Sequence, residues 1–408
     1  MISAFVIADE CLNSYNGHYF NYDRTIQDYA RSQGYDVTII ANAAASSQIA
    51  EALKVIPGFR YGLEHHFKFP IPLREKIQSE WNYFQYKTHF HRDLCQIEAR
   101  LNLNRETLIL FHTISHNQLY PIVKWAEHLP PDKCPKIALL FRFTPYINPT
   151  QLSPNGRFYR RAFRYLERSH VCKRFRLFTD SDILVNDYRD FTEIPLTVLP
   201  IPHAASEKDE SIEREKRDAE TAICLTYLGN ARSTKGFHLL PYLFKRLGCQ
   251  LERSQLKAEV QANVMFQHDT PSVLAVTQLR QNRPVKLHET ALSEREYEAL
   301  LDRAGIVLLP YSLCYYHAQT SGIFGEAIAR GKPVIVPRGT WMAKQLKTQG
   351  AGLTFLPGDA QSFYETVCDA IAQYPELKSK AEHQAEAWAN HHCPATFFKT
   401  LIERFSQD

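Results

Sequence analysis

Three short segments of this 408-residue chain place reactive or ion-binding side chains beside runs that read as buried strands. The first is Thr320-Ser321-Gly322, followed by a helical segment with Ile323, Phe324, Ala327 and Ile328 apolar and Glu326 one turn in. A helix N-terminus exposes unpaired backbone N–H groups and the positive end of the macrodipole, which suits a phosphate. Glu326 is placed to accept hydrogen bonds from a diol such as a ribose. The alternative is an ordinary βαβ unit with a surface Glu. The second segment runs Gly229-Asn-Ala-Arg232-Ser-Thr-Lys235-Gly236, after the apolar run Ile223 to Leu228 and before a helix through Leu239, Leu240, Leu243 and Phe244. Two cations and the N–H groups of a helix start converge there, as in a diphosphate clamp. Otherwise it is a loop with two solvated cations. The third is His112-Thr-Ile-Ser-His116, where the strand Thr107 to Phe111 ends. On a helix this spacing pairs two imidazoles, as in some zinc sites. At a strand end, without a Glu beside the first His or an evident third ligand, it predicts no metal site.

The elements that must position these residues alternate strand and helix throughout, the pattern of an α/β protein with doubly wound sheets. Strands are predicted at Ser3 to Ala8, Val37 to Ala41, Thr107 to Phe111, Lys136 to Phe143, Phe175 to Thr179 and Pro195 to Ile201. Helices are predicted over Tyr19 to Gln33 and, with many aromatics, Arg74 to Asn102. Segment 157–171 is amphipathic: Arg157, Arg161, Arg164 and Arg168 share one face and Phe158, Ala162 and Leu166 another. With Lys173, Arg174 and Arg176 it could attract anionic lipid or a phosphate-linked acceptor, or be a solvated face. The charged run 207–219 marks a domain boundary. Beyond it the alternation restarts: a strand at Ala258 to Phe266, a capping box at Ser293/Glu296, a strand from Ile306, and the strand Val334 to Val336 after Gly331 and Pro333. Residues 360–408 read as helices with Pro394 between two of them. The expected division is 1–205, 206–392 and a C-terminal segment 393–408.

Composition narrows the function. At 44% apolar, the chain can bury two cores. Net charge is +4, with 24 Lys+Arg against 20 Asp+Glu in residues 1–200 and 24 against 24 thereafter, too small an excess to imply nucleic acid. Nine cysteines without a CxxC pair read as reduced thiols of a cytosolic protein. The start, MISAFVIADE, reads as a first strand, and no run approaches the roughly 18 apolar residues of a membrane span. The expected location is cytoplasmic, or peripheral at the inner face of a membrane.

The stretch SGIFGEAIARGKPVIVP resembles the donor-nucleotide segment of GT-B glycosyltransferases, especially retaining family 4. That resemblance implies two Rossmann-like domains facing across a cleft, the first on the acceptor side and the second binding the nucleotide-sugar, with segment 393–408 crossing back to the first domain. It assigns Glu326 to the donor ribose, and Gly229, Arg232, Lys235, Thr320, Ser321 and Gly322 to the diphosphate. It also places His112 opposite the transferred sugar, where a core or loop histidine is the alternative, and Gly17 and His18 in the cleft loop, where a turn glycine and an exposed His are the alternative. Lys235-Gly236 match the family's loop, whereas Asn230 stands where it has Arg. The family's first Glu, eight positions before Glu326, is Ala318 here. The implied reaction is retaining transfer from a nucleoside-diphosphate sugar to a saccharide or lipid-linked saccharide, with no metal or other cofactor. A non-catalytic GT-B subunit and a GT-B nucleotide-sugar epimerase are the competing readings.

Overall fold

A computed structural model describes residues 2–13, 19–62, 73–148, 150–153, 155–202, 222–252, 256–264, 267–282 and 284–406. Gly17, His18 and the charged run 207–219 lie outside the described residues. The chain divides into two compact units, one of Met1–Ala204 with Cys393–Asp408, the other of Ala205–His392.

The first unit is built on β1 (Ala4–Ala8), β2 (Asp36–Asn42), β3 (Ile56–Phe59), β4 (Thr107–Ile114) and β5 (Lys136–Phe141). A small hairpin, β6 (Tyr146–Asn148) and β7 (Gln151–Leu152), precedes β8 (Phe175–Thr179) and β9 (Leu196–Val198). The sheet order is β3-β2-β1-β4-β5-β8-β9, every pair parallel. Crossovers place helices on both faces, so the central strands are apolar on both sides, and all eight residues of β4 are buried. Helices α1 (Tyr19–Ser32), α2 (Ser47–Leu53), α3 (Leu73–Glu98), α4 (Leu119–His128), α5 (Gly156–Arg168) and α6 (Asp182–Arg189) supply the layers. Ser181 caps α6, accepting from the N–H groups of Ile183 and Leu184. The C-terminal helix, Pro394–Ser406, packs here: Phe397, Phe398, Leu401 and Phe405 join Phe5, Ile26 and Ala30 in one core.

Three sequence expectations need correction. β4 runs on to Ile114, so His112 lies within the strand, where the register with β5 shifts between Phe111 and Ile114. Helix α3 stops at Glu98, four residues early. Two cations assigned to the basic face are structural instead. Arg174 donates to the Cys134 carbonyl, and Arg176 donates to the Arg404 carbonyl at 2.9 Å with its guanidinium over Phe405, securing the C-terminal helix.

The second unit repeats the plan with β10 (Ile223–Tyr227), β11 (Leu256–Gln261), β12 (Val285–His288), β13 (Ile306–Leu308), β14 (Val334–Pro337) and β15 (Gly352–Phe355). Their order is β12-β11-β10-β13-β14-β15, all parallel. In both sheets the order reverses beside the first strand, between β1 and β4 and between β10 and β13. Such switch points open a crevice at the carboxyl ends of the strands, where ligands of open α/β sheets bind. The capping box Ser293/Glu296 opens the helix Glu294–Arg303 as the sequence predicts.

Candidate functional site

In the second unit, the loop after β10 crosses directly in front of the loop after β13. Gly229 takes φ +93° and donates its N–H to Gln261 Oε1 at 2.6 Å. Asn230 pairs with the Asn263 amide at 2.6 Å, and the Ser233 N–H binds Asp269 at 2.8 Å. The predicted helix forms over Leu240–Arg246, with Leu239 left outside it, and two 3₁₀ turns, Ser233–Lys235 and Phe237–Leu239, precede it. The cause is Gly236, whose φ of +68° breaks the helical path and lets the chain press on Pro310. A Cβ there would lie 1.7 Å from the Pro310 carbonyl oxygen. The Ser312 N–H donates across to the Thr234 carbonyl at 2.9 Å, locking the two loops together.

The helix Gly322–Ala329 starts beside them. Ser321 caps it through the Phe324 N–H, and Gly322 at its head is exposed. Phe324 anchors it in a nest of Trp341 and Trp388, with ring centroids 5.5 and 5.7 Å away. Tyr297 donates its hydroxyl to Glu326, fixing the carboxylate. A Cβ on Gly229 would meet Lys235 Nζ at 2.7 Å and Ile323 Cδ1 at 2.9 Å, so the glycine leaves space that the ammonium and the helix start share. The Lys235 Nζ also lies 5.4 Å over the Tyr311 ring. Burial, with the nearby Arg232 charge, lowers the Lys235 pKa to about 8, while Glu326 opposes the shift. The structure therefore brings Gly229, Arg232, Lys235, Ser321, Gly322 and Glu326 into one neighbourhood, with Thr320 half-buried at its edge. Ala318, which the sequence resemblance aligns with the family's first Glu, is fully buried.

The first unit holds a second polar cluster, at the carboxyl ends of β1 and β4. His112 has no exposed surface; its Nε2 lies 2.8 Å from Asp23 Oδ1 and 3.4 Å from Asp9 Oδ2. Its Nδ1 meets Thr113 Oγ1 at 3.1 Å, and Tyr22 packs over the ring at 4.9 Å. Burial alone would lower the imidazole pKa; Asp23 and Asp9 outweigh it and raise the value to about 9. Burial, reinforced by Asp9 and opposed by His112, pushes Asp23 up to about 7. Beside them Glu10, raised to about 8 chiefly by burial, accepts from Tyr86 and Gln118. Arg142, after β5, stacks 4.3 Å over Tyr22 and faces Asp180 at 3.5 Å.

One ligand atom each of Asp9, Asp23 and His112 lies within 4.8 Å of the others, the residue types and spacing of a metal centre. His116 is not part of this cluster: its ring stacks on Phe158 and Tyr83. The partners of His112 come from β1 and α1, more than 80 positions away. A signal for one of them was present: Asp23 shares a face of α1 with Tyr19, Ile26 and Ala30, and a carboxylate among apolar helix positions needs a buried partner. Nothing local in the sequence marks Tyr297 as the support of Glu326.

No protein-family profile matches the chain, and no curated protein is similar to it in sequence. Solved structures do match along its whole length. The N-terminal domain of Candida albicans trehalose-6-phosphate phosphatase superposes with a TM-score of 0.69 at 12% identity, covering 100% of this chain and 97% of that one. Anabaena HepE in complex with UDP gives 0.67 at 13%, covering 99% and 100%. Sucrose-phosphate synthase of Thermosynechococcus elongatus gives 0.67 at 12%, covering 100% of both chains. At these identities the likeness is one of fold: two Rossmann-like parallel-sheet units in the GT-B architecture.

Proposed function

We propose that the protein is a glycosyltransferase that takes a sugar from a nucleoside-diphosphate sugar and passes it to a saccharide or lipid-linked saccharide. The observation that carries this is the convergence of Gly229, Lys235, the Ser321–Gly322 helix start and Glu326 from segments some 90 residues apart. In this reading the diphosphate lies on the exposed N–H groups of the helix Gly322–Ala329 and on Lys235 and Arg232. Those groups stabilise the charge that grows on the phosphate as the sugar departs. Glu326, held by Tyr297, accepts from the ribose hydroxyls. Transfer is retaining and needs no metal, with the leaving phosphate receiving the acceptor proton. HepE has been solved with UDP-glucose as well as UDP, which makes UDP-glucose the first donor to test.

His112 has a different part from the sugar-facing one that the resemblance assigns to it. A fully enclosed imidazole does not touch a sugar, so in this reading it holds β1, α1 and β4 together at the acceptor-side carboxyl edge.

The test is a thermal-shift screen against UDP, GDP, ADP and their sugar conjugates, with and without EDTA, followed by turnover of the ligand that shifts the midpoint. Binding to the native state alone raises the midpoint by mass action. The expected result is a selective, EDTA-insensitive shift that Lys235→Ala and Glu326→Ala each reduce. No shift with any nucleotide would overturn the reading. A shift with no turnover would favour a binding-only protein, for which the buried Ala318, in place of the family's carboxylate, is the specific observation.

A further inference from the structure

Away from both clusters, α3, α4 and α5 present a surface that the donor reading does not use. Trp81 and Phe84 stand on α3 at 56% and 53% exposure, their rings stacked at 6.3 Å. Large aromatics this open are unusual on a soluble face, because they forgo burial that the fold could supply. Lys87, one turn on, lies 5.0 Å over Phe84 and 5.3 Å over Tyr120 of α4. Tyr120 packs on Tyr165 of α5 at 4.9 Å, and Tyr83 stacks on Phe158 at 4.1 Å. The aromatic pair is thus continuous with the basic helix. On α5, Arg161, Arg164 and Arg168 are exposed, while its one carboxylate, Glu167, accepts from Thr192 Oγ1 at 2.7 Å and the Glu193 N–H at 3.0 Å.

We propose that this face docks the protein on an anionic lipid surface, with the α5 arginines against the headgroups and Trp81 and Phe84 entering the interface. Arginines attract the negative leaflet, and indole and phenyl rings partition into the headgroup zone. Neither term requires the donor site, so the proposal stands apart from the glycosyltransferase reading. A nucleic-acid duplex would satisfy the arginines but, with its base faces stacked internally, offers the paired open rings nothing, and the chain as a whole is only slightly basic at +4.

The experiment is co-sedimentation of the full chain with vesicles of phosphatidylcholine plus phosphatidylglycerol, against phosphatidylcholine alone, with tryptophan emission recorded in parallel. Of the four tryptophans, Trp125, Trp341 and Trp388 are at most 3% exposed, so a change in emission reports Trp81. Expected are binding to the anionic vesicles only, weakened by salt, and a blue shift. Both Arg161→Glu/Arg164→Glu and Trp81→Ser/Phe84→Ser should lower the partition coefficient by about tenfold or more. All four positions are at the surface, and unchanged melting of the variants will confirm intact folding. Trp81→Phe should keep binding but lose the shift. Absence of anionic-vesicle binding, unchanged emission, or equal binding to an RNA duplex that is indifferent to Trp81→Ser/Phe84→Ser would each overturn the proposal.

Discussion

In the proposed donor site, Lys235 makes nucleotide binding sensitive to pH. With its pKa lowered to about 8 in the free protein, it begins to lose its charge just above neutrality. A bound diphosphate favours the ammonium and raises that pKa, so binding takes up a proton at alkaline pH. Nucleotide affinity should therefore be flat below pH 7 and fall by up to about tenfold per pH unit above 8. Titration calorimetry in buffers of different ionisation enthalpy checks this, and Lys235→Met should remove both the slope and the proton uptake. His112 acts on stability instead. Its folded value of about 9 exceeds the ordinary 6.5, so its contribution is fully present below pH 6.5 and lost as pH rises through 9. Asp23, pushed up to about 7, works in the same sense at lower pH, because the folded state holds the proton longer than the unfolded chain. Urea midpoints should drop between pH 7 and 9.5, and His112→Gln should flatten that drop. The same variant breaks a buried pair at a cost of about 3–5 kcal/mol. The Lys235 loop was legible because its cations and glycines are adjacent in sequence. The His112 cluster was not, because its three members come from β1, α1 and β4 and meet only when the sheet closes.

At the scale of elements, the path of the loop 229–239 depends on one residue. Gly236 combines φ +68° with close approach to Pro310, and both exclude a side chain. Gly236→Ala should cost about 1–3 kcal/mol from backbone strain alone, and more once the Pro310 loop is displaced. The expected readout is a lower melting temperature together with loss of nucleotide binding. Unchanged nucleotide affinity would show that the contact between the two loops does not shape the site. Central strand positions were readable because strands covered on both faces are nearly continuous apolar runs, whereas the short edge strands β3 and β15 carry no such run; caps such as Ser181 and Ser293/Glu296 are local chemistry. The two 3₁₀ turns were not, since the pressure of Pro310 on Gly236 is invisible without the neighbouring loop.

For the whole molecule, the C-terminal helix is the part whose placement matters most to stability. Phe397, Phe398, Leu401 and Phe405 are buried against the first unit, and the Arg404 carbonyl takes the Arg176 hydrogen bond. At about 1.5–3 kcal/mol for each large apolar side chain, their removal withdraws an amount comparable to a domain's entire stability. A chain ending at Cys393 should lose the calorimetric transition of the first unit and keep that of the second. Two intact transitions would mean that the helix is an accessory.

The sequence by itself determined the α/β alternation, most of the strand positions and the cations and glycines of the loop 229–236, because periodicity, capping and loop composition act over a few residues. It also carried the resemblance on which the nucleotide reading rests. Tertiary structure alone decided which charges are free and which are spent. Arg174 and Arg176, read as surface cations, are bound to backbone carbonyls, while His112 is enclosed between two carboxylates. The reason is physical: a charge's role depends on what lies within a few ångströms of it, and in a parallel sheet those neighbours come from strands and helices far apart in the chain.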